Sequence, residues 1–162
     1  MKIKRIILLI LIIVLCITIF CFSNQPADES SNTSGGFIKF ILEINPFTKN
    51  LEEAEKLELQ ESMQHIVRKG AHFSIYTVLG ILLMMYTNTY KFDLRKKTLI
   101  SFIIGVTYAI TDEVHQYFIP GRSCEFRDVC IDGSGVLFGI ILVSICIVIF
   151  NKLKKRGKTN EC

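Results

Sequence analysis

Four long runs without a charged residue constrain the fold of this chain more than any other feature. They cover residues 6–22, 70–90, 98–111 and 133–151. A water-soluble domain keeps roughly a quarter of its residues charged, and here 21% of 162 residues are charged while these stretches contain no charge at all. The first, second and fourth runs reach the roughly 17 residues that a helix needs to span a bilayer. The pattern predicts an all-α integral membrane bundle.

The third run is too short to cross a membrane by itself. Its 14 residues extend about 21 Å at the ~1.5 Å rise of a helix, whereas the hydrocarbon core is about 30 Å thick. We therefore expect this helix to continue to residue 117. That continuation places Asp112, Glu113 and His115 at or inside the membrane boundary, where ionisable side chains are rare and usually have partners.

The first run predicts a retained membrane anchor. A cleaved signal peptide has a shorter apolar core, about 7–15 residues, and small residues at its exit. This run instead ends in Phe20, Cys21 and Phe22. Bulky Leu15 and Phe20 also precede Cys16 and Cys21, where lipoprotein processing would need a small residue.

The distribution of basic residues predicts the orientation of the spans. Twelve basic and two acidic residues lie in the N-terminal tail, the loop 91–97 and the C-terminal tail, whereas the remaining connections carry seven basic and thirteen acidic residues. By the positive-inside rule, both termini are cytoplasmic. The charge therefore reports topology and gives no support for nucleic-acid binding. The prediction is one domain, 1–162, with four spans at 6–22, 70–90, 98–117 and 133–151 and an extracytoplasmic segment at 23–69.

The extracytoplasmic segment is predicted to contain an amphipathic helix. A polar, turn-forming stretch at 23–36 comes first, and an amphipathic stretch at 36–47 is expected to lie on the membrane surface. Asn50 then begins a helix, with Glu53 in a capping-box arrangement. Its apolar face consists of Leu59, Met63, Ile66 and Val67.

The cysteines and glycines suggest packing rather than chemistry. Cys124 and Cys130 share the outer loop, but residues six apart face each other poorly on a helix, so we expect both thiols to be free. Gly135 and Gly139 form a GxxxG pattern in the fourth span. We interpret this pattern as close helix packing within the bundle rather than a dimer contact.

Three polar clusters meet at the predicted outer membrane boundary. Four-residue spacing places the members of each cluster on one helix face or on adjacent faces, and Pro120-Gly121 predicts a tight turn between the last two. The clusters are Arg68, His72 and Tyr76; Asp112, Glu113, His115 and Gln116; and, beyond Arg122, Asp128 and Asp132.

Three chemistries are compatible with these clusters. A metal site is one, since two histidines and a carboxylate are sufficient in type; the available residues are His72, Glu113, His115, Asp128 and Asp132. A histidine paired with a carboxylate as general base is the second, with Arg68 or Arg122 holding a phosphate or carboxylate. In the third, the groups only satisfy each other, for example Arg68 with Asp128, and join the helix ends.

Three segments in this order resemble the VanZ-like family of bacterial membrane proteins, which is named for a teicoplanin-resistance determinant. They are FSNQPADESS, VRKGAHFSIYTVLG and TDEVHQYFIPGRSCEFRDVCIDGSGVLFG, and the resemblance extends from about residue 20 to 145. The family pattern also includes Ser23 and Gln25. Asp132 departs from it, since many relatives have asparagine there, and we therefore place the least weight on Asp132.

The resemblance implies a multi-pass protein of the bacterial cell membrane that lowers susceptibility to teicoplanin and related lipoglycopeptides. We expect it to act on or bind a lipid-linked cell-wall component at the outer boundary, with the bilayer and this component or a lipoglycopeptide as partners. The residues predicted to be catalytic are His72, Asp112, Glu113 and His115. Those predicted to bind substrate are Arg68, Tyr76, Gln116, Arg122 and Asp128.

Two other interpretations remain open at this stage. The catalytic residues are therefore candidates only, the protein is not assigned as an enzyme, and no cofactor is assigned. In the first, the outer segment binds or shields without turnover and the polar clusters are structural. A transporter is less compatible with the sequence, because no charged residue falls near the middle of a span.

Overall fold

The structure is a computed structural model that describes residues 2–46, 48 and 51–159, leaving aside the side chains of 27–34 and 155–159. The predicted start at Asn50, the thiol of Cys162 and part of the basic C-terminal tail lie outside this description. Across the described residues the chain forms five helices and no strand, which confirms the all-α prediction. The helices are α1 (Lys2–Ser23), α2 (Ala27–Ile44), α3 (Glu53–Thr87), α4 (Leu94–Gln116) and α5 (Phe126–Thr159).

Three of these helices are long and apolar enough to cross a membrane. They are α1, with mean hydropathy 3.3, α3, with 1.3, and α5 over Phe126–Lys154, with 2.7. Helix α4 is not among them, since it begins with a basic segment and ends with Asp112 and Glu113. Large apolar side chains are exposed along α1 while Asp112, Glu113 and Asp132 are buried. This distribution is the reverse of that in a water-soluble bundle.

Helix α3 is the centre of the molecule and contacts each of the other four helices. Its most extensive contact is with α5, where Gly135 approaches the carbonyl of Phe73 and Gly139 that of Thr77 so closely that a Cβ on either glycine would clash. Close packing of the GxxxG pattern within the bundle is therefore confirmed. The buried core consists of Ile19, Tyr76, Leu79, Leu83, Met84, Ala109, Val136 and Ile140.

The polar contacts also determine the directions of the helices. Tyr108 donates to the carbonyl of Cys16 at 2.6 Å and Ser23 donates to Asp112 at 2.9 Å, so α1 and α4 run the same way. Helices α3 and α5 run parallel to each other, because Gly135 and Gly139 follow Phe73 and Thr77 in order. Tyr76 lies beside Asp112 at the opposite end from the α3–α4 connection, so α3 and α4 are antiparallel.

Basic residues gather at the end of the bundle away from Asp112. The Arg5 guanidinium donates to the side chain and carbonyl of Thr89 at 3.1 and 2.7 Å, and its Cζ lies 4.1 Å from the ring centroid of Tyr90. Lys97 donates to Asn88 at 2.8 Å in the same region. The start of α1, the end of α3 and the start of α4 therefore lie together.

The outer segment differs from the sequence prediction in two ways. Helix α2 includes residues 27–36, for which a turn-forming stretch was predicted. Ile38 and Leu42 on the same helix are buried where α2 packs on α3. This packing outweighs the weak helix propensity of the serines, asparagine and glycines.

The helix predicted after Asn50 is continuous with the second span. Helix α3 begins with a capping box between Glu52 and Glu55, and its 35 residues extend about 52 Å. On its outer half Leu59, Met63 and Val67 are half-buried, as predicted, whereas Ile66 is 68% exposed. A single helix thus joins the outer segment to the polar clusters.

Candidate functional site

Asp112 is the centre of the polar residues that the fold brings together. Its Oδ2 accepts hydrogen bonds from Ser23 Oγ at 2.9 Å, Tyr76 Oη at 3.0 Å and Gln116 Nε2 at 3.1 Å. Asp112 is 4% exposed and Tyr76 is fully buried. Tyr76 and Gln116, which the sequence predicted to bind substrate, therefore orient this carboxylate. Ser23 joins α1 to the same centre.

Arg122 links the α4–α5 connection to the end of α1 through hydrogen bonds. Its Nε donates to the carbonyl of Gln25 at 2.9 Å, and its terminal nitrogens donate to Gln116 Oε1 at 3.0 Å and the carbonyl of Phe22 at 3.3 Å. Gly121, at φ 75°, takes the left-handed conformation that lets the chain turn before it. Burial lowers the pKa of the Arg122 guanidinium, and the nearby charge of Arg68 lowers it further.

Glu113 and His115 make contacts that join elements of the structure. Glu113 is 2% exposed, and its Oε1 accepts the backbone N–H of Glu125 at 2.7 Å, just before α5 begins. The His115 ring stacks on Phe20 of α1 with centroids 4.5 Å apart. The first contact joins α4 to the start of α5, and the second joins α4 to α1. The predicted catalytic role of Glu113 and His115 stays a prediction.

The two cations at the start of the membrane half of α3 differ in their partners. Lys69 forms the ion pair with Asp128, in place of the Arg68–Asp128 pair suggested by the sequence. The half-buried Arg68 guanidinium has no hydrogen bond or ion pair to any residue that the structure describes. Arg68 is therefore the cation at this site that remains free to meet an anion.

His72, Asp112 and Asp132 form the cluster at this site with the geometry of metal ligands. One potential ligand atom from each lies within 4.8 Å of the others, and His72 Nδ1 is 3.5 Å from Asp132 Oδ1. The sequence left a metal site as one of three possible chemistries, and of the ligands available to it the cluster contains His72 and Asp132, together with Asp112. Asp132, which was given the least weight, is 1% exposed. Its four-residue spacing from Asp128 was the signal that could have identified it.

Two cavities adjoin at this site. The smaller, of about 70 Å³, is polar, and the larger, of about 710 Å³, is mostly apolar. Both are lined by Arg68, His72 and Arg122. The exposed rings of Phe22 and Phe37 line the larger one, so it opens to the surface. Its other apolar lining residues are Ile19, Val67, Ala71 and Ile75.

These features define a helical protein with helices that are long and apolar enough to span a membrane and with a buried polar site next to an apolar cavity. Residues 8–149 match the model of the VanZ/LLP1 family, so the chain belongs to this family. The match covers most of the chain and includes all three polar clusters. No curated protein and no solved structure matched the chain.

Proposed function

We propose that the protein crosses the bacterial cell membrane four times, with both termini in the cytoplasm. The opposite directions of α1 and α4 relative to α3 and α5 support this topology. Helix α4 contains the shortest of the four uncharged runs. On the face that points away from the bundle, Leu99, Ile103 and Ile104 are 58%, 54% and 47% exposed, which suits contact with lipid. The polar end of the bundle then lies at the outer membrane boundary, and the end with Arg5 and Lys97 faces the cytoplasm.

The function that this site supports best is binding of a lipid-linked envelope component with an anionic head group. The apolar cavity would hold the hydrocarbon chain, and Arg68 would bind the phosphate. The observation that carries this proposal is that one set of residues, Arg68, His72 and Arg122, lines both cavities. A single amphiphilic ligand can therefore occupy both at once.

Size and charge favour this ligand over a water-soluble one. Ligand cavities usually measure about 300–1,000 Å³, and the apolar cavity, at about 710 Å³, lies within that range. Each methylene buried there contributes about 0.8 kcal/mol. Arg68 supplies a planar guanidinium without a partner among the residues that the structure describes, and this group matches the bidentate geometry of a phosphate.

Through this binding the protein would lower susceptibility to teicoplanin and related lipoglycopeptides. The target of these drugs would then be a lipid-linked component of this kind. A protein that binds such a component at this boundary would change how much of it the drug can reach. Membership of the VanZ/LLP1 family supports this proposal.

Substitution of Arg68 tests the proposal directly. Full-length protein in phosphatidylcholine nanodiscs should retain a polyprenyl phosphate, and Arg68→Ala should weaken its binding about tenfold, because a charge-assisted contact contributes about 1.5–3 kcal/mol. The matched control is Arg127→Ala, since the Arg127 side chain is 63% exposed and lines neither cavity, although its partners Glu125 and His65 line the polar one. Binding that is equal in Arg68→Ala and the unaltered protein would contradict the proposal.

The same variants should differ in cells. At equal membrane abundance, Arg68→Ala should lose protection against teicoplanin and Arg127→Ala should keep it. Protection retained by Arg68→Ala would separate the phenotype from the lipid site.

A shielding function of the outer segment is the second candidate. It is favoured by the exposed apolar side chains of α2, where Phe40 is 57% and Ile44 62% exposed. A shielding protein should lose protection in Phe40→Lys and keep it in Arg68→Ala, the reverse of the result expected for the lipid site. Deletion of residues 51–66 would not separate the two functions, because these residues are continuous with the helix that carries Arg68 and His72.

A further inference from the structure

Three helices each contribute one metal-ligand side chain to a single buried point. His72 comes from α3, Asp112 from the end of α4 and Asp132 from the second turn of α5. The close approach of α3 and α5 at Gly135 holds His72 and Asp132 together. The positions of all three side chains therefore follow from the packing of the bundle.

Three of the four carboxylate oxygens in this cluster lack a hydrogen-bond donor among the described residues. Asp112 Oδ1 and both side-chain oxygens of Asp132 are buried and have no hydrogen-bond partner among the described residues. The 3.5 Å between His72 Nδ1 and Asp132 Oδ1 is longer than a normal hydrogen bond. A buried carboxylate without a partner is strongly unfavourable.

Two of the nearby cations are engaged by other groups. Lys69 pairs with Asp128. Arg122 donates to the amide oxygen of Gln116 and to two backbone carbonyls. No lysine or arginine among the described residues pairs with either carboxylate, and His72 can do so only when it is protonated.

We propose that His72, Asp112 and Asp132 bind a divalent first-row transition-metal ion such as Zn²⁺ or Mn²⁺. Imidazole nitrogen favours Zn²⁺, Fe²⁺ or similar ions over Mg²⁺ and Ca²⁺, whereas carboxylate oxygen accepts all of them. Ligand atoms bonded to one tetrahedral ion at about 2.0–2.2 Å lie roughly 3.4 Å apart. The observed spread of up to 4.8 Å would have to contract by up to about 1.4 Å on metal binding to reach this distance.

The hydrogen bonds around Asp112 support this assignment. Its Oδ2 accepts all three donors, from Ser23, Tyr76 and Gln116, while Oδ1 accepts none. Metal-bound carboxylates are commonly held in this way, with outer hydrogen bonds that fix the orientation of the ligand. The arrangement leaves one oxygen of Asp112 free to bind an ion.

The remaining coordination positions have access to the polar cavity. His72 and Asp132 both line this cavity of about 70 Å³, which has room for water. Three protein ligands with an open position are the pattern of a zinc site that binds water or a substrate oxygen. Arg68 lines the same cavity, so an anionic oxygen could contact both the ion and the guanidinium.

Metal content and affinity of the full-length protein in detergent test this proposal. After removal of bound metal with a chelator, the protein should take up one Zn²⁺ or Mn²⁺ per chain, measured by elemental analysis after gel filtration and by calorimetric titration. Asp132→Asn and His72→Gln should each weaken binding at least about tenfold, since even outer-shell changes cost 10–100-fold. Mg²⁺ should bind more weakly than Zn²⁺.

Two matched controls keep the test specific. His65→Gln changes a histidine seven residues earlier on the same helix, and Glu61→Gln changes an exposed carboxylate one turn before His65. Both controls should still bind one ion per chain. The proposal is rejected if the unaltered protein binds no stoichiometric ion, or if Asp132→Asn and His72→Gln bind as tightly as the controls. Either failure leaves lipid binding through Arg68 to be decided by its own experiment.

Discussion

Two arginines at the site have opposite surroundings and therefore opposite expected functions. Arg122 uses its guanidinium for three hydrogen bonds within the protein. Arg68 makes no hydrogen bond or ion pair within the part of the chain that the structure describes, and it lines both cavities. Sequence spacing suggested that either could bind an anion. The contacts make Arg122 a residue that holds elements together and leave Arg68 as the proposed binding residue.

We predict that Arg122→Ala destabilises the protein by about 3 kcal/mol, because hydrogen bonds from a charged donor contribute about 1.5–3 kcal/mol and the carbonyl of Gln25 would lose its donor. Arg122→Lys should restore little, since an ammonium group cannot reproduce the planar arrangement of donors. The measurement is thermal unfolding in detergent together with membrane abundance. Arg127→Ala is the control, and full stability of Arg122→Ala would show that the connection is held in another way.

At the scale of the helices, small residues determine how closely α3 and α5 approach. Gly139 and Gly135 lie against backbone carbonyls of α3, and this contact determines the separation of His72 and Asp132. By contrast, a Cβ at Gly70, on the outer side of the same region, would meet no atom within 4 Å. Gly139 and Gly70 thus offer a direct comparison of a glycine at the helix contact with one that faces open space.

We predict that Gly139→Ala destabilises the bundle by about 1–3 kcal/mol, because the new Cβ would meet the carbonyl of Thr77 and force the helices apart. Gly70→Ala should be neutral or stabilise the protein by up to about 1 kcal/mol through helix propensity. Unfolding of both variants in the same detergent checks the difference. Equal stabilities would mean that α3 and α5 do not pack this closely.

The sequence predicted three of the helices well and missed part of a fourth. Uncharged runs identified α1, α3 and α5, because apolar length is a property of each segment alone. Helix α2 was missed in part, since its polar first half is helical only where Ile38 and Leu42 pack on α3. Four-residue spacing brought the polar clusters to one end, but it could not show that Arg122 contacts Gln116 or that Asp132 faces His72. Those contacts depend on helix rotation and separation.

On the scale of the whole molecule, the two ends of the bundle have different chemistry. One end contains Arg5 and Lys97 together with the α3–α4 connection. The other contains the buried polar site and the loop with Cys124, whose thiol is free and exposed. The proposed topology places these ends on opposite sides of the membrane.

Cysteine labelling in intact cells tests this topology. In a chain with Cys124 as its single cysteine, a membrane-impermeant maleimide should label the protein without permeabilisation, because Cys124 lies in the outer loop. A chain with Lys91→Cys as its single cysteine should react only after permeabilisation. Protection of Cys124, or labelling of the Lys91→Cys chain in intact cells, would reverse or reject the four-span arrangement.

Because α3 is one continuous helix, its outer half and its membrane half move together. The outer half, from Glu53, and the membrane half, to Thr87, share one ladder of backbone hydrogen bonds over 35 residues, so neither half can tilt alone without breaking that ladder. Arg68 and His72 lie near its middle. A tilt of the outer half would therefore also move Arg68 and His72, which together with Arg122 line both cavities.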